Sequence, residues 1–415
     1  MEAARAQKTN IAKADIVIVG AGPVGLWTAI QAKKRNPQAQ IQVYERYTEY
    51  QRSHVLRLEH FSMLLYGKKS KDPAEKAFYE EVTGKKLGSL SAAFSQAVGS
   101  VFIRTHDLEK ALKGYAGALG INIAYEKIES PQEAMDLHPE CRHFVAADGA
   151  HSNMRKMLLG ENDKQEFPLQ YVVEVKYQAN GRAGQLDFSS ENYKTNKLMQ
   201  NMAFEYVGRE KEGTTPVTLR FFTDKQTYDN LPQASFKQPL TLNDGRLPPH
   251  LSQDIQTYMS VRALKAGEEY REGSAKVSKL TLSLYAARKF AVNLMGKGKG
   301  QDRSWFFVGD AAMGVPYFRA LNSGIIIGSQ LGTILTRKWL SPKAKALVFN
   351  AIRPLNIAWE FTAARGKNLG IKAYDKFRRA SAEVPWEMVK WDDKEVQDFR
   401  ALNHRAFRPG DEPQP

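Results

Sequence analysis

A single cysteine, Cys141, stands in a chain of 415 residues. It excludes an internal disulfide and suits the chain to a reducing compartment. No apolar run is long enough to span a bilayer; the longest, around Ile325-Ile326-Ile327, is broken by Gly328 and polar neighbours. The segment from Met1 to Lys13 lacks the apolar core of a secretion signal and reads as a short flexible lead-in. Together these absences point to the cytoplasm. The eight histidines fall at no paired metal-ligand spacing with cysteine or carboxylate, so no metal site is expected. Zinc-finger spacing and nucleic-acid-binding motifs are missing too, which leaves no expected nucleic-acid partner. No internal repeat occurs.

Acid is in short supply. Lys and Arg number 60 against 45 Asp and Glu, a formal net charge of +15. Such a bias favours an anionic substrate, NADPH, an acidic protein, nucleic acid or an anionic membrane surface. Part of it is local: nine Lys or Arg lie between Lys343 and Arg379 against only Glu360 and Asp375. That stretch is either a solvated basic helix face or a contact for an acidic protein or membrane surface. Otherwise the composition, 42% hydrophobic and 25% charged, is that of a globular chain long enough for two or three domains.

The most informative stretch is Gly20-Ala21-Gly22-Pro23-Val24-Gly25, directly after the apolar run Ala14-Asp15-Ile16-Val17-Ile18-Val19. A second strand at Ile41-Gln42-Val43-Tyr44 ends in Glu45, and the whole forms a dinucleotide-binding fingerprint. Gly20 makes the turn out of the first strand. Gly22 lets the backbone approach a pyrophosphate, and Gly25 lets the helix pack close on the sheet. The helix beginning at Pro23 and Val24 offers free N–H groups and a positive dipole to the anion. Glu45 is placed to accept hydrogen bonds from ribose hydroxyls. These residues leave open whether the adenine belongs to NAD or to FAD.

Further along, Leu108, Leu112, Tyr115 and Leu119 recur at helical spacing, with Thr105 or Asp107 as cap and Gly120 as stop. Ile121 to Tyr125 and His143 to Ala147 read as strands. After about Gln165 the pattern changes to alternation, as in Leu169, Tyr171, Val173, Val175 and Tyr177. Val217, Leu219 and Phe221 repeat it, as do Leu280, Leu282 and Leu284, with turn-rich segments at Asn243-Asp244-Gly245 and Leu247-Pro248-Pro249. Ser304 to Val308 returns as a buried strand, and a helix start is expected near Asn322-Ser323-Gly324, residues suited to an N-cap. From Ser341 to about Ala382 the chain reads as helix with a kink at Pro354, and Arg408 to Pro415 as disordered. The expected architecture is α/β. A discontinuous Rossmann-like domain (1–165 and 286–340) carries an inserted, mainly antiparallel sheet (166–285), followed by a C-terminal helical region (341–415).

Two later motifs complete a pattern. Asp148-Gly149-Ala150-His151-Ser152-Asn153-Met154-Arg155 matches the DGxxSxxR motif of single-component flavoprotein monooxygenases, and Val308-Gly309-Asp310-Ala311-Ala312-Met313-Gly314-Val315-Pro316 their GD motif, in the same order. The chain therefore resembles the para-hydroxybenzoate hydroxylase superfamily of FAD-dependent monooxygenases, from Gly20 to Gly324. The resemblance implies bound FAD, NADPH or NADH as reductant, a small-molecule substrate, and oxygen transfer through a flavin C4a-hydroperoxide. It implies that Gly309 and Asp310 meet the ribitol and pyrophosphate, and that Asp148, Gly149 and Arg155 lie near the flavin. Read alone, Asp148-Gly149 is equally a simple turn and Arg155 a surface charge. Arg57, twelve residues after Glu45, stands where the hydroxylase has an arginine on the FAD pyrophosphate; Arg104 stands where relatives often carry another, and Arg46 adjoins the ribose acid. Pro316, Asn322, Ser323 and Gly324 lead to a helix whose positive end would lie by the flavin's pyrimidine edge. A shorter likeness, Arg52-Ser53-His54-Val55-Leu56-Arg57-Leu58, is to the MICAL monooxygenase domain, which oxidises methionine in actin.

Departures from the family matter as well. Met313 replaces a frequent histidine, and Tyr317-Phe318-Arg319 makes bulky a loop that is usually glycine-rich. Tyr317, Phe318 and Arg319 either wall a substrate pocket or pack against the inserted sheet. A second Rossmann fingerprint and a redox cysteine pair are absent, unlike flavin disulfide reductases, and so is the WxWxIP motif of flavin halogenases. The expected activity is FAD-dependent monooxygenation. The alternatives are a reductase or dehydrogenase of the same fold, or a MICAL-like flavoprotein acting on or binding a protein partner.

Overall fold

The computed structural model describes residues 13–49, 55–59, 62–63, 73–83, 100–186, 195–196, 198–208, 210–296, 301–316 and 319–380. Contacts divide the chain into two compact units: the described residues of Met1–Phe167 with Ser283–Ala364, and those of Pro168–Leu282 with Arg365–Pro415.

Unit 1 begins with β1 (Ile16–Val19), α1 (Pro23–Arg35) and β2 (Ile41–Tyr44). Then come β3 (Val55–Glu59), α2 (Pro73–Thr83), β4 (Ser100–Arg104), α3 (Thr105–Ala118) and β5 (Asn122–Ala124). Its first segment closes with α4 (Pro131–Leu137), β6 (His143–Ala146) and α5 (Asn153–Leu159). Unit 2 is built from most of β7 (Lys164–Asn180), then β8 (Met202–Val207), β9 (Thr214–Thr223), α6 (Lys225–Asn230), α7 (Pro249–Ala266), β10 (Glu269–Tyr270) and most of β11 (Lys276–Ala287). The chain re-enters unit 1 through β12 (Ala291–Leu294), β13 (Arg303–Phe307), β14 (Met313–Gly314) and α8 (Ala320–Leu335). The last described element is α9 (Pro342–Ala380).

The unit 1 sheet has the order β12-β13-β6-β1-β2-β5, parallel except for β12. Its central strands are buried on both faces: β1 is an unbroken apolar run, while β2 carries the buried Gln42 and β6 opens on His143. In unit 2 the sheet runs β11-β7-β9-β8 with β10 on β7, and the β7 and β8 pairings with β9 are antiparallel. Val173, Val175, Tyr177, Val217, Leu219 and Phe221 pack its core against Leu251, Ile255 and Tyr258 of α7. The α/β class, the parallel Rossmann-like sheet, the antiparallel sheet and the C-terminal helix are as expected.

Several local expectations need correction. Thr105 does not cap α3: it is the first helical residue, Arg104 is the N-cap, and no side chain caps the turn. The stretch expected to be mainly antiparallel sheet also contains the eighteen-residue α7. Its signals were Pro249 at N1, Gly267 in the left-handed conformation at the C-cap, and Leu251, Ile255, Tyr258 and Met259 at helical spacing. It is hard to see in sequence because Asp254, Thr257, Ser260 and Arg262 are buried too, which blurs the apolar stripe. The expected C-terminal helix is α9, with Pro354 inside it.

Close packing of α8 on α1 brings two helix N-termini together. Along α8, Gly324, Gly328 and Gly332 face α1 so closely that added Cβ atoms would lie 2.6 Å from Val24 Cγ2, 2.5 Å from Thr28 Oγ1 and 2.8 Å from Gln31 Cβ. Trp27 Nε1 donates to Ser329 Oγ at 2.7 Å in the same buried seam. The N-terminal ends of α1 and α8 are thereby held side by side.

At the other end of α8, the Lys345 ammonium caps the helix by donating to Leu335 O (2.7 Å) and lies 3.2 Å from His143 Nε2. Burial, then the Lys345 charge, pushes His143 down to about 3, and burial pushes Lys345 down to about 8. The unfolded chain therefore binds a proton at His143 below its ordinary value of about 6.5 while the folded chain stays neutral there. Stability contributed by this site is present above that value and lost as pH falls toward 3. Between pH 6.5 and 4 the thermal midpoint is expected to fall less steeply for His143→Gln than for the native chain; parallel slopes would refute this.

Candidate cofactor site

The fingerprint glycines occupy three different physical situations. Gly20 sits at φ +108°, and a Cβ there would lie 2.4 Å from Ala147 O, so backbone conformation and packing both demand glycine. Gly25 has no room either: its Cβ would fall 2.1 Å from Gly20 O and 3.0 Å from Ala147 Cβ. Gly22, the N-cap of α1, is different. Its φ of −66° and ψ of 171° suit any residue, and nothing lies within 4 Å of its Cβ position. The protein itself does not need glycine here. A ligand approaching the first turn of α1 would, because the first-turn N–H groups of a helix lack intrahelical partners and favour an anion.

Glu45 closes one side of this loop. Its Oε2 accepts from Ala21 N–H (2.8 Å) and its Oε1 from Tyr47 N–H (3.1 Å), so the end of β2 is tied to the glycine turn. The remaining lone pairs suit hydroxyl donors. Arg46 is exposed and its guanidinium lies 4.6 Å from the Tyr47 ring centroid. Arg57 and Arg104 fall on one two-stranded ribbon, where β3 pairs antiparallel with β4: Val55 opposes Arg104 and Arg57 opposes Phe102. Arg104 is exposed.

The second motif lies against the first, since Ala147 meets Gly20 and Gly25. Asp148 Oδ2 accepts from Met154 N–H at 3.3 Å, while Oδ1 is buried with no hydrogen-bond partner. Ser152 caps α5 by accepting Arg155 N–H at 3.0 Å. Arg155 is no surface charge but is fully buried. Nε donates to Asp163 Oδ2 (2.6 Å), NH1 to Ala311 O (2.9 Å) and NH2 to Ala150 O (3.2 Å). One guanidinium thus ties the DG loop to the GD turn. Its hydrogen bonds run to Asp163 and to backbone carbonyls of both loops, so it joins the loops to one another.

In the GD turn, Gly309 packs against Val24, with its Cβ position 3.1 Å from Val24 Cβ, and Gly324 meets the same valine. Tyr285 Oη donates to Asp310 O at 2.9 Å and holds the turn from β11. The three motifs thus meet around Val24 and Ala147.

Helix α8 starts at Ala320, two residues before the expected cap, with Arg319 as N-cap and no side-chain capping bond. Asn322 serves elsewhere: buried inside the first turn, its Oδ1 accepts Glu59 N–H of β3 at 2.8 Å. Ser323 is also buried, and Pro316 lies in the turn before α8. Arg319 makes a two-point pair with Glu360 of α9, Nε to Oε2 at 2.7 Å and NH2 to Oε1 at 3.1 Å. That bond, set against burial, raises its pKa, and it makes Arg319 a strut between α8 and α9. Tyr317 and Phe318 lie outside the described residues, as do Arg52, Ser53 and His54 of the MICAL-like segment. No group of metal-binding side chains occurs among the described residues. Cys141 is buried, and burial pushes its thiol up to about 12, far from a reactive thiolate.

Sequence reasoning missed Asp163, Tyr285 and Glu360, the partners that hold Arg155, Asp310 and Arg319. They sit outside the motifs and become neighbours only through the fold. A lone Asp eight residues after Arg155 carried no signal.

No family model and no curated protein matches this chain by sequence. Solved structures do. BexE, studied for oxidation during BE-7585A biosynthesis, is 16% identical, with 94% of this chain and 76% of that chain covered and a TM-score of 0.54. CabE, an aromatic hydroxylase from angucycline biosynthesis, is 13% identical over 97% of this chain and 78% of its own, with a TM-score of 0.53. The Diels-Alderase PyrE3 of pyrroindomycin biosynthesis is 14% identical over 94% and 80%, also at 0.53. These likenesses establish the fold. The reaction needs separate argument, since a hydroxylase and a Diels-Alderase share this architecture.

Proposed function

We propose that the chain is an FAD-dependent monooxygenase that consumes NADPH or NADH and places one oxygen atom of O2 in an organic small molecule. The observation that carries this reading is Gly22, a glycine that neither backbone conformation nor packing requires, at a helix N-terminus where three motifs converge. The residues fit a dinucleotide. Gly22, Pro23 and Val24 leave the start of α1 open to a pyrophosphate, with Arg57 and Arg104 as further cations for it. Glu45 suits ribose hydroxyls and Asp310 the ribitol. The N-terminal end of α8, whose first turns hold Asn322, Ser323 and Gly324, would place positive dipole by the flavin's pyrimidine edge, where reduction adds negative charge.

Bound FAD would supply the activation of O2. The chain's part is to orient that cofactor, exclude water and stabilise charge on it. In balance, NAD(P)H, a proton, O2 and substrate give oxygenated substrate, NAD(P)+ and water. Unit 1 carries the cofactor residues, and selection of substrate is assigned to unit 2. The buried, unreactive Cys141 suits a reducing compartment such as the cytoplasm.

The purified chain is expected to show flavin absorption bands that bleach with NADPH in the absence of air. Reoxidation with isotope-labelled O2 and an aromatic substrate is expected to leave label in the product. Unlabelled, reduced product would favour the reductase reading. A product isomeric with its substrate, formed without NAD(P)H consumption, would favour redox-neutral chemistry of the kind PyrE3 represents.

A further inference from the structure

One surface of unit 1 has no place in the cofactor site. Between Asp310 and Glu360 the sequence contains no Asp or Glu. Within that stretch, Trp339, in the turn before α9, is 77% exposed, and Leu347, Leu355 and Trp359 on α9 are 63%, 71% and 67% exposed. At 3.6 residues per turn, the three α9 side chains fall within an arc of about 120°, with Val348 and Ala351, also exposed, inside it. Exposed Arg337 and Lys338 stand in the turn that carries Trp339, exposed Lys343 is in the first turn of α9, and none of the three makes an ion pair among the described residues.

We propose that this Arg337–Trp359 surface docks on an anionic lipid surface, lying in the interface rather than crossing it. No helix among the described residues is long and apolar enough to cross a membrane. The chemistry matches interfacial binding: an apolar arc, tryptophans that place an apolar body and a polar N–H at a wet boundary, and cations flanking Trp339 along the chain. A second copy of the chain fits less well. Its identical face brings apolar surface but no carboxylate to meet Arg337, Lys338 and Lys343, whereas anionic headgroups supply that charge. An acidic protein would supply charge too, but two exposed tryptophans and an uninterrupted apolar arc suit a lipid interface better than ion pairing alone. The proposal is independent of the flavin reading.

The test is co-sedimentation of the full chain with vesicles of phosphatidylcholine alone or of phosphatidylcholine mixed with phosphatidylserine. The mixed vesicles are expected to retain the protein, the neutral ones not, and raised salt should release it. Trp359→Ala and Lys338→Glu are each expected to lower partitioning by about tenfold or more with an unchanged thermal midpoint. Equal binding to neutral vesicles, no binding to either, or variants that bind like the native chain would overturn the proposal. So would a concentration-dependent dimer that Trp359→Ala disrupts without any vesicle binding.

Discussion

Replacing Gly22 by alanine is expected to leave the fold in place and to weaken FAD binding by about a hundredfold, equivalent to about 2.7 kcal/mol. The new methyl group meets nothing in the protein within 4 Å, and the backbone angles are ordinary. Its only intrinsic cost is a poorer N-cap, about 1 kcal/mol. It would, however, fill the approach to the first turn of α1. Gly25→Ala is the contrasting case. There the methyl would lie 2.1 Å from Gly20 O, a backbone atom that cannot swing aside, so strand and helix must separate. Overpacking of this kind costs about 3 kcal/mol or more. Thermal midpoints measured without added FAD should be close to native for Gly22→Ala and far lower for Gly25→Ala. If both variants lost stability equally, the distinction between a glycine for the ligand and a glycine for the fold would be wrong.

Arg155→Met is expected to cost unit 1 about 3–5 kcal/mol, as removal of one partner of a buried ion pair does. Asp163, 4% exposed, would be left with an uncompensated carboxylate, and the carbonyls of Ala150 and Ala311 would each lose a donor. The DG loop and the GD turn would then be free to part, so FAD affinity should fall. The double variant Arg155→Met/Asp163→Asn removes the stranded charge and is expected to recover part of the stability but little of the affinity. Denaturant unfolding of the three chains checks this. Near-native stability in Arg155→Met would contradict a clamp.

Much of unit 1 was legible because its signals are local. A strand, a glycine turn, a helix and an acid within thirty residues declare themselves, and β1, α1 and β2 lie where periodicity places them. The meeting of Val24, Gly309 and Gly324 was not legible from spacing. It depends on α8 packing against α1 through Gly324, Gly328 and Gly332, whose spacing along one helix face names no partner helix. Asn322 and Ser323 misled because their N-cap propensity was real, but a hydrogen bond from Glu59 N–H in β3 and burial claimed them instead. In unit 2, α7 escaped because its buried face carries Asp254 and Arg262, each satisfied by distant partners. Asp254 accepts Asn201 N–H at 2.7 Å, and Arg262 donates to Glu268 and Tyr177. Polar residues with remote partners look like surface in a sequence.

The central claim is that the fingerprint loop, the DG loop and the GD turn grip one flavin dinucleotide. Titration of the flavin-free chain with FAD, followed by quenching of flavin fluorescence, tests it most directly. One FAD bound per chain, with affinity lost in Gly22→Ala at native stability, is the expected result. No binding, or binding that Gly22→Ala leaves untouched, would place the dinucleotide elsewhere or nowhere on this protein.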